Sequence, residues 1–262
     1  VICLFINMEI QNLIDKIQKL VNHRRIGYSK EEDRDCWQIT RFRDSFRHKH
    51  QAVYFHLNMI KQIKKEVANI IEHQIHGKNE FLIGDKNMKE KIAFRRQIQF
   101  KCTVLMEDIL YHLTSIIDNL PKIISVYFKT IRPEQGFRSA KNQLNHEHTK
   151  DLEITKLINE NWDEWIERLK NFRAKIFHHH SEICEALMQA SFGRDKTGNQ
   201  YFKEEIIINV PKELKEVFKY SKDKVELEKF CDDIITKSYN FFEKIFDILI
   251  TEHEKIIGKI QE

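Results

Sequence analysis

Four stretches of apolar residues recur at three- and four-residue spacing, and only 7 Gly and 3 Pro are available to interrupt them in 262 residues. Side chains spaced this way return to one side of a 3.6-residue helix, so each stretch specifies a long helix with a single buried stripe. The first runs from Trp37 to Ile75 through Phe42, Phe46, Val53, Leu57, Ile60, Val67 and Ile71, and His76-Gly77 ends it. The second uses Ile98, Cys102, Leu105, Ile109, Leu113, Ile116 and Leu120; its spacing can continue past Pro121 to Ile124 and Phe128, and Pro121 is expected to kink or break it. The third reads Trp162, Trp165, Leu169, Phe172, Ile176, Ile183 and Leu187, and the fourth Leu227, Phe230, Ile234, Phe241, Ile245, Ile248 and Ile256.

Four such stripes bury best against one another, which predicts an all-α fold, a four-helix up-and-down bundle with additional short helices. The short helices are expected at Glu9 to His23, Ser139 to Asn145 and Pro211 to Tyr220. The exception is residues 191–210, where Gly193 and Gly198 punctuate the chain and Ile206-Ile207-Ile208 favours strand. A small irregular or β-prone insert is expected there. By this reading residues 1–35 form an N-terminal helical extension and residues 36–262 the bundle.

Composition narrows the function classes only slightly. The balance of 44 basic and 40 acidic residues leaves a formal net charge of +4, which permits nucleic-acid binding without requiring it. Five scattered Cys form no Cys-x-x-Cys pair, so neither a disulfide framework nor a zinc knuckle is expected, and a reducing cytoplasm fits. The apolar opening Val1 to Ile6 is too short for a membrane anchor and lacks the basic start of a signal peptide. The run from Gly193 to Gly198 is followed by Asn199-Gln200, not by the Lys-Ser/Thr of a phosphate-binding P-loop.

The stretch with chemical potential is Asn171-Phe172-Arg173-Ala174-Lys175-Ile176-Phe177-His178-His179-His180, in the middle of the third stripe. Arg keeps its charge and holds phosphate oxygens with several donors, whereas His changes charge near neutrality and can move a proton. On an ideal helix centred on Ile176, Arg173 lies about 60° to one side, His180 about 40° to the same side, and His178 about 160° away. Arg173 therefore faces His180 more naturally than His178. Arg173 and His178 converge only if the helix is irregular, if the Arg side chain curls round, or if they meet a second copy of the chain. Solvated helix positions with no chemical role are the plain alternative. Three consecutive His point in different directions, so they cannot share one metal ion, and no metal or cofactor is expected.

Phe172-Arg173-Ala174-Lys175-Ile176-Phe177-His178-His179 resembles the Arg-x4-6-His motif of the HEPN superfamily, where the sequence often reads Arg-Asn-Lys-Ile-Val-His-His. The resemblance covers the third helix closely and the four-helix layout loosely. It implies a dimeric, metal-independent ribonuclease of the toxin–antitoxin or antiviral-defence kind, with an antitoxin or nucleotidyltransferase as partner. It makes Arg173 the phosphate binder and His178 the proton-transfer residue, with His180 as second candidate. Ala174 departs from the polar residue that commonly follows the Arg, and His180 stands where some members carry a Tyr modified by the nucleotidyltransferase.

Superfamily members often support the pair with an acidic residue from a neighbouring helix, a role that Asp108 fits here. Asp108 and His112 lie four apart on the second helix, so Asp108 would orient His112 or reach the cleft; a surface pair is the plain alternative. Arg41, Arg43 and Arg47, together with Lys175 beside the motif, are the candidate contacts to an RNA backbone. Acidic neighbours such as Asp44 allow a solvated charged face instead, and Phe42 and Phe46 fall on the core stripe, not on a stacking surface.

Overall fold

The computed structural model describes residues 11–21, 30–77, 88–146, 148–179, 186–194 and 200–261. Within them, the side chains at 30–33, 70–77, 88–91, 177–179, 190–194, 200–204 and 256–261 are not described. Among the described residues the chain is mostly helical, with one small antiparallel sheet. Helix α1 covers residues 11–21. It is followed by α2 (Lys30–Gly77), α3 (Met88–Tyr127), α4 (Phe137–Leu144), α5 (Glu153–Asn161), a π-helical turn (Trp162–Ile166) and α6 (Glu167–His179). Strands β1 (Ala186–Arg194) and β2 (Gln200–Asn209), helix α7 (Lys212–Phe218), strand β3 (Lys224–Glu226) and helix α8 (Leu227–Gln261) complete it.

The stripes fold as their spacing demands, with Phe42, Val53, Leu57, Ile98, Leu105, Leu113, Leu169, Phe230 and Ile245 all buried. Helix α3 runs on past Pro121 to Tyr127, as the stripe's continuation to Ile124 allows, and Ile117, Leu120, Ile123 and Ile124 around the proline are all fully buried. Two features differ from the sequence expectation. The third stripe does not stay helical to Leu187. Helix α6 is assigned only to His179, and Leu187 lies in β1, which begins five residues before the expected insert; Ile183 falls outside the described residues. Between α5 and α6 a π-helical turn adds a residue to the helical period, so Trp162, Trp165 and Ile166 are all buried. The Trp165 indole then donates to Asn161 Oδ1 at 2.8 Å.

In the sheet, β1 pairs with β2 from Ala186↔Ile208 to Arg194↔Gln200, and β3 pairs with the end of β2 at Ile207↔Glu226 and Ile208↔Val225. Ile206, Ile207 and Ile208 are all buried, so this part of β2 is covered on both faces, as a continuous apolar run requires.

The chain divides into two compact units, and α2, α3 and α8 contribute residues to both. The first unit comprises residues 1–51, 112–167 and 235–262. Its core is aromatic: Phe46 meets Phe42, Phe242 and Phe246 at ring separations of 5.8 to 6.1 Å, and Phe241 stands edge-on to Phe137 and Trp165. Each buried ring contributes on the order of 1.5–3 kcal/mol from removal of apolar surface. His50 is buried in this core, stacked on Phe46 and hydrogen-bonded through Nδ1 to the Tyr239 hydroxyl. The second unit comprises residues 52–111 and 168–234. There Phe172 packs edge-on to Phe230 at 5.9 Å, and the Ala186 amide donates to Thr103 Oγ1 at 2.9 Å, fixing the start of β1 against α3.

Candidate functional site

The second unit holds Arg173 and its surroundings. Phe172 and Ile176 are 2% and 3% exposed and set the rotation of α6, which leaves Arg173 half-buried at the flank of the apolar face. Its guanidinium lies over the Tyr111 ring, 5.0 Å from the centroid. Tyr111 itself is 43% exposed, so the ring is a surface platform on α3, and such a cation–ring contact is worth on the order of 0.5–1 kcal/mol at an exposed site.

Three residues before Tyr111, one helical turn along α3, stands Asp108. Side chains at this spacing are neighbours on a helix surface, with Cβ atoms about 5–6 Å apart. The Asp108 carboxylate faces His56 Nε2 of α2 at 3.7 Å, an ion-pair distance longer than a hydrogen bond. His56 is half-buried, with Nδ1 on its inward side and fully enclosed. The neighbouring Phe55 ring is 62% exposed. Asp108 thus faces a histidine of another helix.

The arrangement therefore contains a fixed cation on an aromatic ring, with an imidazole and carboxylate one turn away. Such a set can hold an anionic oxygen and move a proton. Two of its members, His56 and Tyr111, were not singled out by sequence reasoning. Tyr111 lies off the apolar stripe, and an aromatic residue outside the stripe is a signal by which it could have been found. For His56 there was none, since it pairs with a residue 52 positions away.

His178 lies within α6, but its side chain is not among those described, and His180 lies outside the described residues. Asn171, Ala174 and Lys175 of α6 line a groove of about 350 Å³ together with Arg168, Pro211 and Leu214. The Arg168 guanidinium donates to the Glu213 carbonyl at 3.3 Å. Lys175 is exposed in this groove.

The basic cluster on α2 belongs to the first unit. Arg43 is engaged by Asp44 at 2.8 Å and by Gln18, Arg41 stacks over the Trp37 ring at 4.6 Å, and Arg47 is exposed. Among the described residues, no three His, Cys, Asp or Glu side chains converge on a point where a metal ion could sit, and no helix is long and apolar enough to cross a membrane. No protein-family model matches the chain, and no curated protein or solved structure matches it either.

Proposed function

We propose that this chain is a metal-independent endoribonuclease of the HEPN type, acting in the cytoplasm as a dimer within a toxin–antitoxin or antiviral-defence system. The observation that carries this reading is the placement of Arg173: half-buried, held over the Tyr111 ring, and one turn along α3 from the ion pair of Asp108 and His56. A phosphodiester needs a fixed positive group of this kind where charge develops on its non-bridging oxygens.

In the proposed reaction the RNA 2′-oxygen attacks the adjacent phosphorus in line with the 5′-oxygen that leaves. Arg173 stabilises the charge on phosphate, His178 transfers a proton, and the products are a 2′,3′-cyclic phosphate and a 5′-hydroxyl. Proton transfer and charge stabilisation each contribute roughly a hundredfold or more, so loss of either group is severe. Lys175, which lines the groove on α6, contacts the RNA backbone in this reading.

The test is incubation of the purified chain with a mixed RNA in EDTA, alongside Arg173→Ala and His178→Ala. Cleavage by the wild type that falls at least about a hundredfold in both variants is the expected outcome. No cleavage by the wild type would sink the nuclease reading.

One observation favours a second reading, a catalytically inactive module that binds RNA, a nucleotide or a protein partner. Ala174 is exposed directly after Arg173 and offers no polar group there. RNA binding without cleavage, weakened in Arg173→Ala, is the outcome that reading expects.

A further inference from the structure

Among the described residues, eight large apolar side chains are at least 37% exposed, and seven of them belong to α2 and α3 in the second unit. Apolar residues exposed singly are ordinary on a protein surface, whereas a cluster on two neighbouring helices marks a place where something binds. On α3, Phe100, Val104 and Tyr111 recur at helical spacing on the side away from the buried Cys102, Met106 and Ile109, and Phe100 is 70% exposed. On α2, Phe55 and Met59 lie one turn apart and are also exposed. The two helices meet where His56 Nε2 faces the Asp108 carboxylate at 3.7 Å. His56 adjoins Phe55, and Asp108 is one turn from both Val104 and Tyr111, so the five side chains lie in a single patch that spans both helices.

We infer that two copies of the chain associate through this patch about a two-fold axis, with α3 of one copy laid antiparallel on α3 of the other. The inference rests on the dimer of the reading above and not on its chemistry. Area is the first support. With about 200 Å² for a fully open aromatic ring and somewhat less for Met and Val, the five side chains expose roughly 450–500 Å². A standard interface removes about 800 Å² from each partner, of which a little over half, about 450 Å², is apolar. The patch therefore has the size that one half of a stable dimer needs.

Self-complementarity is the second. A two-fold axis sets the same surface on both sides, so an apolar stripe meets an apolar stripe and no other sequence has to match it. With the axis midway between Phe100 and Val104, each Phe100 ring lies beside the second copy's Val104, large against small. An RNA strand suits the patch less well, because the Asp108 carboxylate stands within it, half open to solvent, and repels phosphate. Tyr111 ends the stripe and carries the Arg173 guanidinium 5.0 Å from its ring centroid, so each copy brings its Arg173 to the edge of the interface. Closing the patch removes water from around that ring, which strengthens the cation–ring contact.

The experiment measures the mass of the full chain by sedimentation equilibrium for the wild type, Phe100→Glu, Phe100→Lys, Val104→Glu and, as a control in the first unit, Trp37→Glu. Thermal unfolding is followed in parallel; all four positions are exposed, so the variants should fold. The wild type and Trp37→Glu are expected to be dimers. Each patch variant should weaken association by about a hundredfold or more, since like charges are brought together in an apolar contact. An equimolar mixture of Phe100→Glu and Phe100→Lys should form a mixed dimer that neither forms alone, because the two-fold axis sets position 100 of one copy near position 100 of the other. A wild type that is monomeric at every concentration overturns the inference, and so does a dimer that the folded patch variants leave intact. RNA cleavage by the same proteins in EDTA keeps the two readings apart. A dimer dissolved by the patch variants, with no cleavage by the wild type, leaves the interface standing and sinks the nuclease; a monomeric wild type that cleaves RNA does the reverse.

Discussion

At the residue scale, the same imidazole group meets opposite surroundings in this chain. His56 lies half-buried on α2 beside a carboxylate, whereas His50, six residues earlier, is 2% exposed between Phe46 and Tyr239. Burial pushes the His50 imidazole down from its ordinary value to about 3, so it remains neutral in the folded chain across the physiological range. The unfolded chain binds a proton at this position near pH 6.5, and the folded chain does not. The stability contributed by keeping His50 neutral is therefore complete above about pH 6.5 and is lost as the pH falls toward 3. Over that interval the wild type should lose up to about 4 kcal/mol more than His50→Gln, since one pKa step is worth about 1.4 kcal/mol. Denaturant unfolding of both proteins from pH 7 to pH 3.5 measures the difference, and parallel curves would contradict it. None of this was legible from sequence, where thirteen histidines look alike. Arg173 was legible as a position flanking Ile176; its aromatic partner was not, because Tyr111 lies 62 residues away on a different helix.

At the element scale, the apolar stripes of α2, α3 and α8 could be read almost residue by residue, because a helix reports its buried face every three to four positions. Proline in α3 removes one hydrogen bond but sits among fully buried Ile and Leu side chains, and the helix persists. The departures lie where another force outweighs the period. The π-helical turn before α6 is invisible to a 3.6-residue count, and β3 is three residues long, too short to show an alternation. The end of α7 shows local strain. Lys219 adopts φ 55°, ψ 39°, a left-handed conformation that side chains with a Cβ disfavour, while the Tyr220 amide closes the helix end on the Lys215 carbonyl at 3.0 Å. Lys219→Gly should relieve that strain and raise stability by up to about 1 kcal/mol, since glycine is the residue that helix ends of this form favour. Denaturation midpoints of the two proteins check it, and a destabilised variant would show that the Lys219 side chain contributes more than its backbone costs.

At the scale of the whole molecule, the all-α composition with a small sheet follows from scarce glycine and proline and four apolar stripes, with one short β-prone run. The proposed function follows from none of these. It rests on Arg173, which α6 holds over the Tyr111 ring of α3 in the second unit. The central proposal is that the RNA 2′-oxygen, rather than water, is the attacking group. The end groups of the RNA products test this most directly. The account predicts 2′,3′-cyclic phosphate and 5′-hydroxyl ends from the wild type in EDTA, with no cleavage of an RNA whose 2′-hydroxyls are methylated. Products carrying 5′-phosphate and 3′-hydroxyl ends, or continued cleavage of the methylated RNA, would contradict it.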